Sequence, residues 1–119
     1  MTVVERKVHG QYQKFLTSKQ EPLRLSIALE ELFRDDVSEE NRAAYLAYLQ
    51  RRIRPAMKQL VSRDDSVMMQ RISEQITLPA DIVDDALARA IPGKKISAMV
   101  WLLRWKQHNS GFTDRDFSL

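Results

Sequence analysis

The chain has no cysteine, only three glycines and four prolines, and no long apolar run among its 119 residues. The missing cysteines exclude structural disulfides and thiolate metal sites. So little glycine and proline leaves scant material for the turns that many short strands need, which points to helices. No stretch approaches the roughly 20 apolar residues of a membrane span, and Met1 to Lys7 lacks the apolar run of a secretory signal. The expected location is therefore the cytoplasm, with no membrane partner.

Signals for catalysis are equally sparse. No glycine-rich phosphate loop exists; Pro92-Gly93-Lys94-Lys95 is a turn with basic flanks. His9 and His108 lie near opposite ends of the chain and outside any H-E-x-x-H spacing, so both are read as surface histidines. The acid pairs Asp35-Asp36, Asp64-Asp65 and Asp84-Asp85 fall near expected helix starts, where carboxylates cap free N–H groups rather than hold metals. The residues thus point to no enzyme, no metal and no cofactor.

What is present is an ordinary soluble composition, 44% apolar and 29% charged, arranged with helical periodicity. Val4, Val8, Tyr12, Phe15 and Leu16 predict a first helix over 4–19. Pro22 opens a second over 23–34, with Leu25, Ala28, Leu29 and Leu32 inward. Ser38 is the expected N-cap of a third, with Tyr45, Tyr48, Leu49 and Ile53 inward. Pro55 predicts a break at Arg54, followed by a helix over 56–61. A short helix over 66–74 carries Val67, Met68 and Ile72. Pro79 starts another, burying Ile82, Val83, Ala86, Leu87, Ala90 and Ile91, which ends at Pro92-Gly93. The final helix, Lys95 to His108, is apolar on most of its circumference, so it is expected to be covered on more than one side.

The expected architecture is an all-α single domain of six or seven helices in stacked hairpins. It spans 1–110, with N-terminal helices over 1–62, a hairpin region over 63–110 and a tail over 111–119 in which Phe112 or Phe117 can fold back on the last helix.

Part of this pattern resembles a known family. Ile82-Val83-Asp84-Asp85 opens one helix and Ala90-Ile91 closes it; Leu102, Leu103, Trp105 and Lys106 mark the next, followed by Asn109, Gly111 and Phe112. These residues are similar to ankyrin-like helical modules at the C-terminal ends of diverse bacterial proteins, notably of Firmicutes. The resemblance covers 63–112 and implies α-solenoid-like stacking of helix pairs without any catalytic residue. Thr77-Leu78-Pro79-Ala80-Asp81 departs from the Thr-Pro-Leu-His-x-Ala start of true ankyrin repeats, and no clean second copy stands at a period of about 33 residues.

Charge is laid out in blocks. Acids dominate 21–40, bases alone occupy 41–63, and 94–108 is purely basic. Blocks of this kind mean that neighbouring helices pair charges across exposed faces. Two surfaces invite a functional reading. On a wheel of about 100° per residue, Lys94, Ser97, Trp101, Arg104 and His108 share a polar strip of the last helix, and tryptophan with arginine is the composition of interaction hot spots. The expected partner-binding set is Lys94, Lys95, Trp101, Arg104 and His108; burial of Trp101 under a neighbouring helix is the competing reading. Arg51, Arg52, Arg54 and Lys58, beside Tyr45 and Tyr48, form the alternative surface, suited to a phosphate backbone. The primary expectation is a non-enzymatic module that binds another protein. The alternatives are a small basic nucleic-acid-binding protein, or an adaptor or inhibitor of a nucleic-acid enzyme. A short stack has exposed ends, so homo-oligomerisation is a further expectation.

Overall fold

The computed structural model describes residues 3–109, with side chains from 10 to 108. Among them it contains seven helices and no strand: α1 Val3–Thr17, α2 Glu21–Glu31, α3 Glu39–Arg51, α4 Ile53–Ser62, α5 Ser66–Gln75, α6 Ala80–Ala90 and α7 Ile96–Asn109. The fold is all-α, as the composition requires. The chain resolves into two compact units that divide between Arg52 and Ile53.

In the first unit α2 packs against both α1 and α3. It buries Leu25, Ala28 and Leu29 of the apolar stripe together with Ile27 and Glu31, and Leu32, the last of the stripe, is buried at its C-cap. Phe15 is the aromatic hub, edge-on to Tyr45 at 4.9 Å and to Tyr48 at 5.1 Å between ring centroids. Arg24 of α2 donates from Nε to the Phe15 carbonyl at 2.9 Å and lays its guanidinium 4.4 Å from the Tyr48 ring centre. One cation thus closes the end of α1 and stacks on α3. Leu16 departs from the expected stripe: it is half exposed. Val4 and Val8 lie outside the residues whose side chains are described.

Ser38 caps α3 as its sequence position predicts, accepting from the Asn41 N–H at 3.1 Å. Asp35 and Asp36 do not cap. Asp36 instead takes both Nε and Nη2 of Arg34 at 3.0 Å, a fork-to-fork pair within the α2–α3 loop. The helical run breaks at Arg52 (φ −118°, ψ 35°), three residues before Pro55. The proline therefore sits in the first turn of α4, where a missing N–H has no intrahelical partner to lose. Register explains the early break: starting α4 at Ile53 buries Ile53, Ala56, Met57, Leu60 and Val61 on one side.

The second unit is a pair of helical hairpins. α4 turns into α5, α6 turns into α7, α4 lies on α6, and α5 on α7. The two turns are built alike. Arg63, Asp64 and Asp65 donate their backbone N–H groups to Gln59, Val61 and Leu60; Gly93, Lys94 and Lys95 donate theirs to Arg89, Ile91 and Ala90, each thirty residues further on. Asp64 (φ 54°) and Lys94 (φ 56°) occupy the same left-handed position. Burial follows the offset, since Ile53 and Val83, Ala56 and Ala86, Leu60 and Ala90, and Ile72 and Leu102 are all buried pairs.

Candidate interaction surface

The thirty-residue correspondence sets most positions of α6, the turn and α7 against counterparts in α4, its turn and α5, and the differences define the surface. Asp65 caps α5 by accepting from the Met68 N–H at 3.0 Å. The corresponding N–H on α7, that of Ala98, is capped by Asp64 of the preceding turn at 2.8 Å. Both carboxylates thus cap helix starts, as that pair predicts, but on two different helices. Asp84 and Asp85 do not cap: they lie in mid α6 and make ion pairs. Asp85 meets Arg54 at 3.3 Å and Arg89 at 3.6 Å, Asp84 meets Lys106 at 3.0 Å, and Asp81 takes Arg54 at 2.8 Å. The acids of α6 are thus used in ion pairs, with α4 through Arg54, with α7 through Lys106 and within α6 through Arg89.

α7 buries one face and leaves another open. Ala98 and Leu102 are fully buried against the unit's core. Trp101 is half-buried on α5, its indole N–H donating to Gln70 Oε1 at 2.8 Å. On the far side Ile96 is 57% exposed, Val100 39% and Leu103 43%, at the i, i+4, i+7 spacing of a single stripe. α7 is covered by both α6 and α5, as a helix so apolar requires, but this further side stays open and Leu103 belongs to it. Ile91, expected inward, is 57% exposed, whereas its counterpart Val61 is 3% exposed. Val67, on α5, is exposed as well.

Three of the five expected contact residues gather at one place. Trp101, Arg104 and His108 line a groove of about 460 Å³ with Gln70, Ser73, Glu74 and Trp105. Trp101 and Arg104 also line a second groove of about 320 Å³ with Ser66, Ile96, Ser97 and Val100. Arg104 forms no ion pair among the described residues. Lys94 is exposed in the turn and Lys95 half-buried beside it, and neither lines either groove. Phe112 and Phe117, which the sequence allows to fold back on the last helix, lie outside the described residues. The apolar stripe was within reach of the sequence: its three residues follow helical spacing, but a uniformly apolar helix does not reveal which face is left uncovered.

The four residues of the alternative surface do not form one strip on one helix. The break at Arg52 puts Arg51 and Arg52 in the first unit, Arg54 and Lys58 in the second. Arg52 pairs with Glu21 at 2.8 Å and Arg54 with Asp81 and Asp85. Arg51 and Arg52 share a shallow groove of about 290 Å³ with Arg24 and Tyr48; Lys58 is exposed on α4. Arg42, from the same basic run, is structural: its guanidinium donates to the Leu32 carbonyl at 2.6 Å and the Arg34 carbonyl at 2.9 Å, closing the end of α2.

His108 is exposed, and the side chain of His9 lies outside those described. Among the described residues no group of three or more His, Cys, Asp or Glu stands close enough to hold a metal ion, and no helix is long and apolar enough to cross a membrane. No family model, curated protein or solved structure matches the chain.

Proposed function

We propose that this chain is a non-enzymatic interaction module that binds another protein through α7 and the turn before it. Lys94, Lys95, Trp101, Arg104 and His108 remain the polar part of the contact surface, and Ile96, Val100 and Leu103 join them as its apolar part. One observation carries the reading: the stripe of three exposed aliphatic side chains beside a half-buried tryptophan and an arginine with no ion pair among the described residues. Contiguous exposed apolar surface with an aromatic and an arginine at its edge is the composition of a protein contact. The ankyrin-like reading belongs to this proposal too. It is supported by two hairpins with matching turns at an offset of thirty residues, close to the period of about 33 of ankyrin repeats.

The groove of Arg24, Tyr48, Arg51 and Arg52 favours the second reading, nucleic-acid binding. Titrating the protein into fluorescent single- and double-stranded DNA and RNA at two salt concentrations separates the two. Under the protein-binding reading the anisotropy stays flat at physiological salt. Tight binding with a steep salt dependence, lost on replacing Arg51, Arg52 and Arg54 together, overturns it.

A further inference from the structure

The thirty-residue correspondence assigns the open stripe a place in the stack. On α5 the positions matching Ile96, Val100 and Leu103 are Ser66, Gln70 and Ser73. Those three line the seam with α7: Gln70 accepts the Trp101 N–H, Ser66 shares a groove with Ile96 and Val100, and Ser73 shares one with Trp101 and Trp105. The α7 stripe is therefore the face on which a further helix would lie. In the first hairpin this face is polar and met by the next helix; in the second it is aliphatic and open.

The matching turn positions state what the further helix must be. α5 and α7 run parallel, since Asp64 meets the start of α7 while Ser73 and Glu74 meet Trp105 and His108 near its end. Asp64 supports that arrangement because a carboxylate suits a helix N-terminus. Its counterpart is Lys94, a cation, which disfavours an N-terminus and attracts the carbonyl end of a helix. From 94 to 108 there is no acid, and Lys94, Lys95, Arg104 and His108 form no ion pair among the described residues. A second copy of α7 laid face to face would set basic rim against basic rim.

Resting on the protein-binding reading above, we propose that the stripe Ile96–Val100–Leu103 receives an acidic amphipathic helix of a partner protein, running antiparallel to α7 with its C-terminal end at Lys94. Leucine-type side chains fill the stripe, and carboxylates flank it toward Arg104 and His108 on one side and Lys95 on the other. This is helix-in-groove recognition with the charge rim choosing the partner.

The test uses the full chain and three fluorescent peptides of about four helical turns: a Glu/Leu helix with leucines at i, i+3, i+4 and i+7, its Lys/Leu counterpart, and a scrambled Glu/Leu peptide. The Glu/Leu helix binds, and its affinity falls as salt is raised. The Lys/Leu and scrambled peptides bind at least about tenfold more weakly. Val100→Asp lowers Glu/Leu affinity by about tenfold or more without shifting the melting temperature, and Lys94→Glu lowers it several-fold. A thiol-reactive group on the C-terminus of the peptide labels Ser97→Cys faster than Gln107→Cys.

Equal or tighter binding of the Lys/Leu helix overturns the acidic partner and leaves the protein-binding reading standing. Faster labelling of Gln107→Cys overturns the antiparallel direction. Concentration-dependent dimerisation abolished by Val100→Asp, with no peptide bound, makes a second copy the occupant. A stripe that takes the peptide only after Phe112 and Phe117 are replaced by serine makes the chain's own tail the occupant; either of these two results overturns the proposal.

Discussion

The carboxylate of Asp64 accepts the backbone N–H of Ala98 at 2.8 Å, tying the turn of one hairpin to the first turn of a helix in the next. A residue in a left-handed turn thus caps a helix thirty-odd positions away, and the two hairpins share a hydrogen bond that neither makes alone. Asp64→Ala removes the acceptor and keeps the unfavourable φ of 54°. It is expected to cost about 1–2 kcal/mol in urea denaturation, the usual worth of a cap. Asp64→Asn keeps an oxygen acceptor and tolerates the left-handed conformation, so it should recover most of the loss. The Ala98 amide should exchange faster with solvent in the alanine variant only.

The two faces of α7 should answer differently to the same substitution. Leu102 is fully buried and Leu103 is 43% exposed. Leu102→Ala opens a cavity and should cost about 2–5 kcal/mol. Leu103→Ala should stay within about 0.5 kcal/mol of the parent. Equal losses at both positions would mean that the stripe is covered.

Tyr45 should give the first unit a sensitivity to alkali. Its ring is fully buried, its hydroxyl has no hydrogen-bond partner among the described residues, and burial, then the nearby Glu31 carboxylate and Tyr12, push its pKa up to about 12. A tyrosine whose folded pKa lies above its unfolded value leaves stability intact below the unfolded value, near 10. Between pH 10 and 12 the unfolded chain loses the proton first, so stability falls, by up to about 3 kcal/mol at roughly 1.4 kcal/mol per unit. Tyr45→Phe should remove that decline and leave neutral-pH stability unchanged or slightly higher, since no hydrogen bond is lost.

Arg42 tests how a basic residue is used. Its two Nη groups reach the carbonyls of Leu32 and Arg34 from one planar head. Arg42→Lys preserves the charge but leaves an ammonium that cannot span them, and should destabilise by about 1–2 kcal/mol. A stability equal to the parent's would mean that the two carbonyl contacts contribute nothing to holding the end of α2.

Much of the fold is legible in the residues. Leu25, Ala28, Leu29 and Leu32 announce α2, Ser38 the start of α3, and Pro92-Gly93 the last turn, because each is set by local periodicity or backbone chemistry. The thirty-residue correspondence is harder to read. Its matched positions are chemically unlike, Leu60 with Ala90 and Asp64 with Lys94, and what they share is a hydrogen-bond pattern. The role of Asp84 and Asp85 is set by tertiary ion pairs that a local capping rule does not see. The candidate surface is half legible: Trp101 and Arg104 stand out by type, but the open face of α7 emerges only once Ala98 and Leu102 are seen to claim the other side.

The absence of cysteine makes the most direct measurement a clean one, because any introduced thiol is the only one in the chain. Thiol labelling of Leu103→Cys and Leu102→Cys in the native protein, with and without the Glu/Leu helix, tests the central claim that α7 presents an open docking stripe. Leu103→Cys should react at nearly the rate of unfolded protein and become protected on adding the peptide, while Leu102→Cys stays unreactive in both conditions. A slow Leu103→Cys in the free protein, or a fast one that the peptide does not slow, would contradict it.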